Sequence, residues 1–491
     1  MAKEKNAKKN ESDNKEQKKG ESKSPGQLLA DKLFFTLKNC WKGVDQKTEK
    51  EIEAFARSYR EMLNSGKTER EFSSLSAEML LKQGFKDISG AVSAKHPEPG
   101  AKLFEHIRGK ALVAAVIGKK HPREGINILG AHIDSPRLDL KQNPLYEDSD
   151  FAFLDTHYYG GIKKYQWTAI PLAMHGVFID SKGKTINISI GEDEDDPVFT
   201  ITDLLPHLAQ DQMQKKGFEV VEGEDLDVLA GSRPFDDEKV KEKVKLRFLS
   251  ILNNRFGIDE KSFAGAEIEF VPAFKARDLG LDGSMIGGYG HDDRCCAYPA
   301  LRALMEIAEA KEAPEKTVLC YLSDKEEIGS CGNTGAQSWG FENFIAVIAG
   351  EENLRRCLSN SSMLSADVGA AYDPSYAGVF EKRNASYMGK GLVLTKYTGS
   401  RGKYGASDAN AEFCSRVQAL MNANKIPWQF GEIGKVDKGG GGTIALHAAK
   451  YGIEVLDCGI AVLSMHSPFE VISKIDLYTA FRAYTAFLKG M

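Results

Sequence analysis

The sequence predicts an α/β protein in which a mostly parallel β-sheet is flanked by helices and interrupted by a second, β-rich region. Short apolar segments at residues 112–117 and 126–129 are bounded by Gly, Lys and His, as strands usually are. From about residue 283 onward, strand-like and helix-like segments alternate, which is typical of a parallel sheet covered on both faces. Residues 151–200 are instead rich in aromatic and β-branched side chains with repeated turn signals, which indicates a separate β-rich region.

These patterns predict the domain boundaries. We expect residues 25–145 and 283–491 to form the main α/β domain, and residues 146–282 to form the inserted β-rich domain. Residues 1–24 are rich in Lys, Glu, Asn and Ser and contain almost no apolar side chains. Such a segment cannot bury enough surface to offset its ordering entropy, so a disordered charged tail is expected. It also lacks the apolar core of a signal peptide.

The elements of the first half follow from apolar periodicity. Apolar residues that recur every three or four positions predict helices within residues 25–60 and near residues 76–83. The strand at residues 126–129 is expected to deliver His132 at its carboxyl end. In the insertion we expect a short helix, a charged polar stretch and a strand, at residues 206–214, 222–245 and 268–272.

In the second half, the same reasoning predicts an alternation of helices and strands. Helices are expected at residues 296–310, 409–423 and 477–488. Strands are expected at residues 317–322, 344–348, 392–395, 453–456 and 461–463.

Composition excludes several classes of protein. The chain has 491 residues, of which 42% are hydrophobic and 27% charged, close to the average for globular proteins. A net charge of -5 gives no reason to expect a nucleic-acid partner. No apolar run approaches the roughly 20 residues of a membrane-spanning helix. The eight cysteines form no Cys-x-x-Cys pair, so we expect free thiols in a reducing cytoplasm rather than a thiolate zinc site.

Five polar segments, most of them directly after apolar runs, carry the residue types of a two-metal hydrolytic centre. In chain order they contain His132 and Asp134, Asp292, Glu326 and Glu327, Asp367, and His466. Zinc accepts imidazole and carboxylate ligands, and two zinc ions about 3.5–4 Å apart need a carboxylate that binds both. We therefore predict that Asp292 bridges two ions and that His132 and His466 bind opposite ions. Glu327 and Asp367 then supply one further carboxylate to each ion.

Two neighbouring carboxylates have expected supporting roles. Asp134 lies two residues beyond His132, a spacing that suits a carboxylate fixing the imidazole tautomer; the alternative is that Asp134 is itself a ligand. Adjacent side chains normally point apart, so one residue of the Glu326–Glu327 pair can bind metal while the other faces the bound water. We assign Glu327 as the ligand and Glu326 as the general base that later protonates the leaving amine.

Each segment also has an ordinary structural interpretation when it is considered alone. A single histidine is more often a hydrogen-bonded structural residue than a ligand, and an isolated pair of glutamates usually lies on a solvated helix face. Asp-Ser-Pro and Asp-Asp-Arg are common turn sequences. The shared position of most segments after apolar runs, in one α/β pattern, favours the metal centre.

These segments resemble the aspartyl aminopeptidase family of co-catalytic zinc metalloaminopeptidases. The resemblance covers most of the chain from about residue 25 and retains the order and approximate spacing of the motifs. The matching motifs are at residues 131–138, 159–161, 206–209, 292–293, 326–330, 365–367 and 465–467. The resemblance implies a zinc-peptidase-like catalytic domain that removes N-terminal residues from peptides with a free N-terminus. It also implies two zinc ions per subunit, for which Mn²⁺ or Co²⁺ are candidate substitutes because they accept the same ligands.

The resemblance further implies a homo-oligomer and one additional site residue. Members of the family form dimer-based, tetrahedral dodecamers in which the inserted β domain mediates assembly. His207 resembles a family histidine that reaches the active site of a neighbouring subunit, where it would stabilise the tetrahedral intermediate. Considered without the resemblance, His207 would be a structural residue.

Three questions stay open at this point. A two-metal deacylase or carboxypeptidase would use the same residues, and a non-catalytic assembly or cargo protein could share the scaffold. Lys396, Arg401 and Lys403 either bind an acidic N-terminal residue of the substrate or are surface charges, so a strict acidic preference is not predicted. The glycines at residues 439–442 either allow a close backbone approach to a ligand or form a flexible surface turn.

Overall fold

The structure is a computed structural model that describes residues 23–90, 97–180 and 182–491. Residues 1–22 of the predicted tail lie outside the described residues, so the disorder of the tail stays a prediction. The chain divides into an N-terminal unit that ends at Lys38 and a large unit of residues 39–491. The N-terminal unit holds helix α1 (Pro25–Leu33), which begins there because the Ser24 side chain accepts a hydrogen bond from the backbone N–H of Gln27.

The described residues of the large unit form helices on both sides of one main sheet, with a second sheet beside it. The helices are α2 (Gln46–Ser65), α3 (Glu69–Lys82), α4 (Lys243–Phe256), α5 (His291–Glu309), α6 (Gly340–Ala349), α7 (Leu354–Ser359), α8 (Ala411–Ala423), α9 (Ala445–Lys450) and α10 (Lys474–Gly490). The strands up to the middle of the chain are β1 (Lys86–Asp87), β2 (Lys102–Ile107), β3 (Ala111–Val116), β4 (Asn127–His132), β5 (Arg137–Asp148), β6 (Phe151–Tyr159), β7 (Leu172–Ile179), β8 (Thr185–Ile190), β9 (Val228–Gly231) and β10 (Glu267–Pro272). The later strands are β11 (Arg277–Leu279), β12 (Met285–Gly288), β13 (Val318–Ser323), β14 (Ser362–Ala366), β15 (Gly369–Ala370), β16 (Leu392–Thr395), β17 (Trp428–Phe430), β18 (Glu454–Gly459), β19 (Ala461–Val462) and β20 (Glu470–Ser473).

The main sheet has nine strands in the order β1-β2-β3-β13-β4-β14-β18-β16-β17. Its four central strands, β13, β4, β14 and β18, are parallel to one another. Antiparallel pairs occur further out, where β3 meets β13 and where β16 meets β18. The predicted α/β fold class with a mostly parallel sheet is therefore confirmed.

Helices cover both faces of the main sheet because its strands present apolar side chains to both faces. In β3, Leu112 and Ala114 belong to the core formed with α2, α3, α5, α8 and α10, whereas Val113 and Ala115 belong to the opposite core with α6, α7 and α9. A sheet buried on two faces needs such continuous apolar strands.

Two predicted elements of secondary structure were wrong. Residues 344–348 form part of α6 rather than a strand, since Phe341, Phe344, Ile345 and Ile348 are buried at helical spacing. A short β-branched apolar run does not by itself distinguish a strand from a buried helix. At residues 206–214 only the turn Gln212–Gln214 is helical, with 3-10 geometry, because its large apolar side chains, Leu208 and Met213, are exposed and have no core to pack against.

The second sheet has six strands, all antiparallel, in the order β8-β7-β10-β5-β6-β9. It has an apolar core of its own, in which Phe178, Phe270 and Trp167 are fully buried. β5, a strand of the second sheet, begins at Arg137, a few residues after β4 of the main sheet ends at His132, so the second sheet begins next to the predicted site. The boundaries of the inserted domain stay a prediction. Within the described residues, no helix is both long enough and apolar enough to cross a membrane.

Candidate active site

Three of the predicted site segments meet where the central parallel strands end. His132 is the last residue of β4, Asp367 directly follows β14, and Glu326 lies in the turn after β13. Because β13, β4 and β14 are neighbours and parallel, their carboxyl ends lie side by side. Open α/β sheets bind their ligands at this edge.

Asp292 and His466 reach the same edge from other parts of the fold. Asp292 lies in the first turn of α5, where the backbone is not yet helical, and its peptide bond to Asp293 is cis. His466 lies in the loop between β19 and β20 with a φ of 63°. Histidine adopts this left-handed conformation more readily than most residues do.

Asp292 lies between the two histidines. Its Oδ1 is 3.3 Å from Nε2 of His132, and its Oδ2 is 3.2 Å from Nε2 of His466. Each histidine also faces a second carboxylate. Nε2 of His132 is 3.9 Å from Oδ1 of Asp367, and Nε2 of His466 is 3.5 Å from Oε1 of Glu327. The five predicted ligands thus lie in one cluster, whose two halves share Asp292.

The donor set of this cluster fits a metal ion. Ligand atoms of His132, Asp292 and Glu327 all lie within 4.8 Å of one another. The buried Oε1 of Glu327 has no hydrogen-bond partner among the described residues, which is rare for a buried polar atom. Burial, with the charge of Asp292, raises the pKa of Glu327 well above its ordinary value, and burial does the same to Asp367. Carboxylates crowded in this way are stabilised by a cation, and zinc accepts imidazole and carboxylate together.

Hydrogen bonds on the far side of each ring determine which nitrogen faces the cluster. Nδ1 of His132 lies 3.0 Å from the carbonyl oxygen of Asp134 and 3.3 Å from its Oδ1. Nδ1 of His466 lies 2.9 Å from the carbonyl oxygen of Gly161. When Nδ1 carries the proton and donates it there, Nε2 presents its lone pair to the cluster, as a metal ligand must.

Asp134 is fully buried and joins His132 to the turn that carries the two glutamates. The Tyr159 hydroxyl donates a hydrogen bond to its Oδ2 at 2.8 Å. The backbone N–H groups of Glu326 and Glu327 donate to its Oδ1 at 3.1 Å and its Oδ2 at 3.2 Å. Because both oxygens already accept hydrogen bonds, the geometry favours a positioning role for Asp134 over the alternative that it is a ligand.

Glu326 lies beside the cluster and lines a cavity of about 520 Å³ in front of it. The five clustered residues line the same cavity. Burial raises the pKa of the Glu326 carboxyl to about 7. A carboxyl group with such a pKa exchanges protons readily near neutral pH, as a general base and acid must.

The sequence did not predict a role for Glu470, which accepts hydrogen bonds from the backbones of two of the clustered residues. Its Oε1 accepts a hydrogen bond from the backbone N–H of His466 at 2.8 Å, and its Oε2 accepts one from the backbone N–H of Asp292 at 3.1 Å. Glu470 is buried in β20, and no motif marks it. Tyr159 and Gly161 belong to the motif at residues 159–161, but their hydrogen bonds with Asp134 and His466 were not predicted.

His207 is the one predicted site residue that the structure does not bring to the cluster. It is exposed, in the turn at residues 206–208, and is not among the described residues that line the cavity. Its expected role at the active site of a neighbouring subunit stays a prediction.

An α/β fold with a cluster of imidazole and carboxylate groups at the carboxyl edge of its sheet is the arrangement expected of a metal-dependent hydrolase. The chain belongs to the family described as Aminopeptidase I zinc metalloprotease (M18), whose family model matches residues 62–488. A probable M18 family aminopeptidase 1 from Clostridium acetobutylicum is 49% identical over 465 residues, which cover 93% of this chain and 99% of that protein. The predicted aminopeptidase activity is therefore confirmed, and the family supports zinc as the metal.

Solved structures agree with this assignment. An M18 aminopeptidase from Thermotoga maritima has a TM-score of 0.88 and 44% identity, over 93% of this chain and 100% of that one. Aminopeptidase I from Clostridium acetobutylicum has a TM-score of 0.86 and 47% identity over the same shares. A dodecameric mApe1 from S. cerevisiae shares the fold at 23% identity and a TM-score of 0.73, over 90% of this chain and 97% of that one.

Proposed function

We propose that this aminopeptidase binds two metal ions in the cluster and that Asp292 bridges them. His132 and Asp367 would hold one ion, and His466 and Glu327 the other. The observation that carries the proposal is that the two oxygens of Asp292 each face Nε2 of a different histidine, at 3.3 and 3.2 Å. When bound, zinc supplies Lewis acidity and lowers the pKa of a water ligand toward about 7.

Glu326 acts as the general base in this proposal. It takes the proton of the attacking water and returns it to the leaving amine, so the group is deprotonated before attack and protonated after it. Its position at the cavity wall and its carboxyl pKa of about 7 support this role. Asp134 is not among the described residues that line the cavity, and its role in this proposal is to orient His132 and the turn that carries Glu326.

The reaction is tested with peptides that differ only at their N-terminus. We expect the enzyme to release the N-terminal residue of a free peptide and to leave the N-acetylated peptide intact. A chelator should abolish turnover, and Zn²⁺, Co²⁺ or Mn²⁺ should restore it to different extents, since all three accept these ligands. Faster hydrolysis of the N-acetylated peptide, or release of C-terminal residues, would contradict the proposal and favour a deacylase or a carboxypeptidase.

Replacing Asp134 by Asn should weaken metal binding about 10–100-fold, the range measured when carboxylates that orient metal-binding histidines are removed. Chelator competition measures this affinity directly. Asp150→Asn, the same change at an exposed turn position, is the matched control and should bind metal as the wild type does. Wild-type metal affinity in Asp134→Asn would refute the positioning role.

We further propose a homo-oligomer in which the segment of residues 198–218, within the predicted insertion, forms a subunit contact. This segment exposes several large apolar side chains, namely Val198, Leu204, Leu205, Leu208, Met213 and Phe218. A cluster of exposed apolar side chains usually marks a protein–protein contact. The dodecameric relative supports a homo-oligomer. We propose that dimers of this chain assemble into a tetrahedral dodecamer, in which His207 would approach a neighbouring active site.

A single charge in this segment should break the contact. Leu208 is 70% exposed in the isolated chain, so Leu208→Asp should fold normally but disfavour its burial between subunits. We expect light scattering to show a smaller particle than the wild type. Leu281→Asp, also at an exposed leucine but outside the segment, should leave the particle mass unchanged. A wild-type mass for Leu208→Asp would contradict the proposed contact.

We also propose that the enzyme works in the cytoplasm. All eight cysteines are free thiols, and six of them are buried. Free buried thiols are usual in a reducing compartment.

A further inference from the structure

The cavity beside the cluster has an acidic wall. Apart from the clustered residues and Glu326, the carboxylates of Glu432 and Asp457 line it, and no Lys or Arg is among its described lining residues. Apolar side chains such as Ile433, Val368 and Leu446 cover other parts of the wall. A substrate side chain that enters here meets apolar surface and negative charge.

Glu432 is held in place at this wall. Its backbone N–H donates a hydrogen bond to the carbonyl oxygen of Asn384 at 2.7 Å. The Tyr397 hydroxyl donates to its Oε1 at 2.6 Å. Among the described residues, no Lys or Arg forms a direct ion pair with Glu432, and the cations near it, Arg401, Lys403 and Lys435, line a neighbouring cleft rather than the cavity.

The cations that the sequence suggested for an acidic substrate lie elsewhere. Arg401 and Lys403 line a smaller cleft, here called the outer cleft, which shares Glu432 with the cavity, and they are not among the cavity's described lining residues. Nζ of Lys403 and Nζ of Lys396 both contact Asp408, at 3.1 and 2.7 Å. Two of the three candidates are therefore already paired with the same carboxylate.

We infer that the cavity selects N-terminal residues with a cationic side chain, Lys or Arg, through Glu432, and disfavours Asp and Glu. This inference rests on the proposed function, because it requires that the N-terminal residue occupy this cavity. The alkyl stem of Lys or Arg packs against the apolar wall while its charged end approaches Glu432. An acidic side chain would instead lie near Glu432 and Asp457, and like charges repel most strongly where water is partly excluded.

The test compares aminoacyl p-nitroanilides that differ by one charge. Lysine is paired with norleucine, and glutamate with glutamine. In the wild type we expect kcat/KM for Lys to exceed that for norleucine by about tenfold, as one charge-assisted hydrogen bond can provide. We expect kcat/KM for Glu to fall below that for Gln. In Glu432→Gln the Lys-to-norleucine ratio should drop toward one, and in Glu432→Lys the Glu-to-Gln ratio should rise.

Asp437→Asn is the matched control, since Asp437 is exposed and lines only the outer cleft. It should keep the wild-type Lys-to-norleucine ratio. The inference is overturned if the wild-type Lys-to-norleucine ratio of kcat/KM is one or below, or if Glu432→Gln leaves that ratio unchanged. The wild-type ratio alone can overturn it, even if a variant fails to fold. Hydrolysis with Glu preferred would overturn only this inference, whereas no hydrolysis of any free N-terminal residue would overturn the proposed function.

Discussion

Glu326→Gln is expected to lower kcat by about 10³-fold while the protein keeps its full metal content. The amide has nearly the shape of the carboxylate but cannot accept the proton of the attacking water, and general-base catalysis contributes on the order of 10²–10⁴-fold. The metal content should not change, because Glu326 is not among the five predicted ligands. Steady-state kinetics and elemental analysis of the same preparation measure both quantities.

The control for this variant is Glu351→Gln, the same replacement at an exposed glutamate that is not among the described residues lining the cavity. It should keep wild-type kcat and metal content. If Glu326→Gln kept wild-type kcat, the assignment of the base would be wrong. If it lost activity together with metal, Glu326 would be a ligand instead.

Asp292→Asn is expected to remove both metal ions and to lower activity by about 10³–10⁴-fold. Among the described residues, only Asp292 has a side-chain oxygen within 3.3 Å of Nε2 of each histidine. A neutral amide cannot balance the positive charge of two adjacent ions. A metal ion contributes several kcal/mol of transition-state stabilisation, and each 1.36 kcal/mol corresponds to about tenfold in rate. Elemental analysis after dialysis against a weak chelator gives the number of ions that remain bound.

His466→Ala is the matched comparison, because His466 belongs to one half of the cluster only. We expect it to lose one ion and to retain the ion held by His132, Asp367 and Asp292. Equal metal loss in His466→Ala and Asp292→Asn would show that the cluster does not divide into two halves. Retention of both ions in Asp292→Asn would exclude Asp292 as the bridge.

Much of the fold was predictable because local patterns express it directly. The apolar strands that precede His132 and Glu326 alternate with amphipathic helices, so the α/β class and the central strands β4, β13 and β18 followed from periodicity. Residues 344–348 were mispredicted because burial on both sides of a short helix gives the same composition as a buried strand. The helix expected at residues 206–214 was mispredicted because apolar side chains there are exposed in the isolated chain, with no core to pack against.

The sequence by itself determined which chemical groups the site contains, because motifs place His132, Asp292, Glu326, Glu327 and His466 in short, recognisable segments. Tertiary structure alone decided how these groups are oriented. Glu470 is 178 residues from its partner Asp292, and Gly161 is 305 residues from His466. Contacts between residues so far apart leave no periodic pattern in a single chain, since they depend on how distant elements of the fold pack together. That packing determines the histidine nitrogen that faces the cluster, and with it the ability of the site to bind metal.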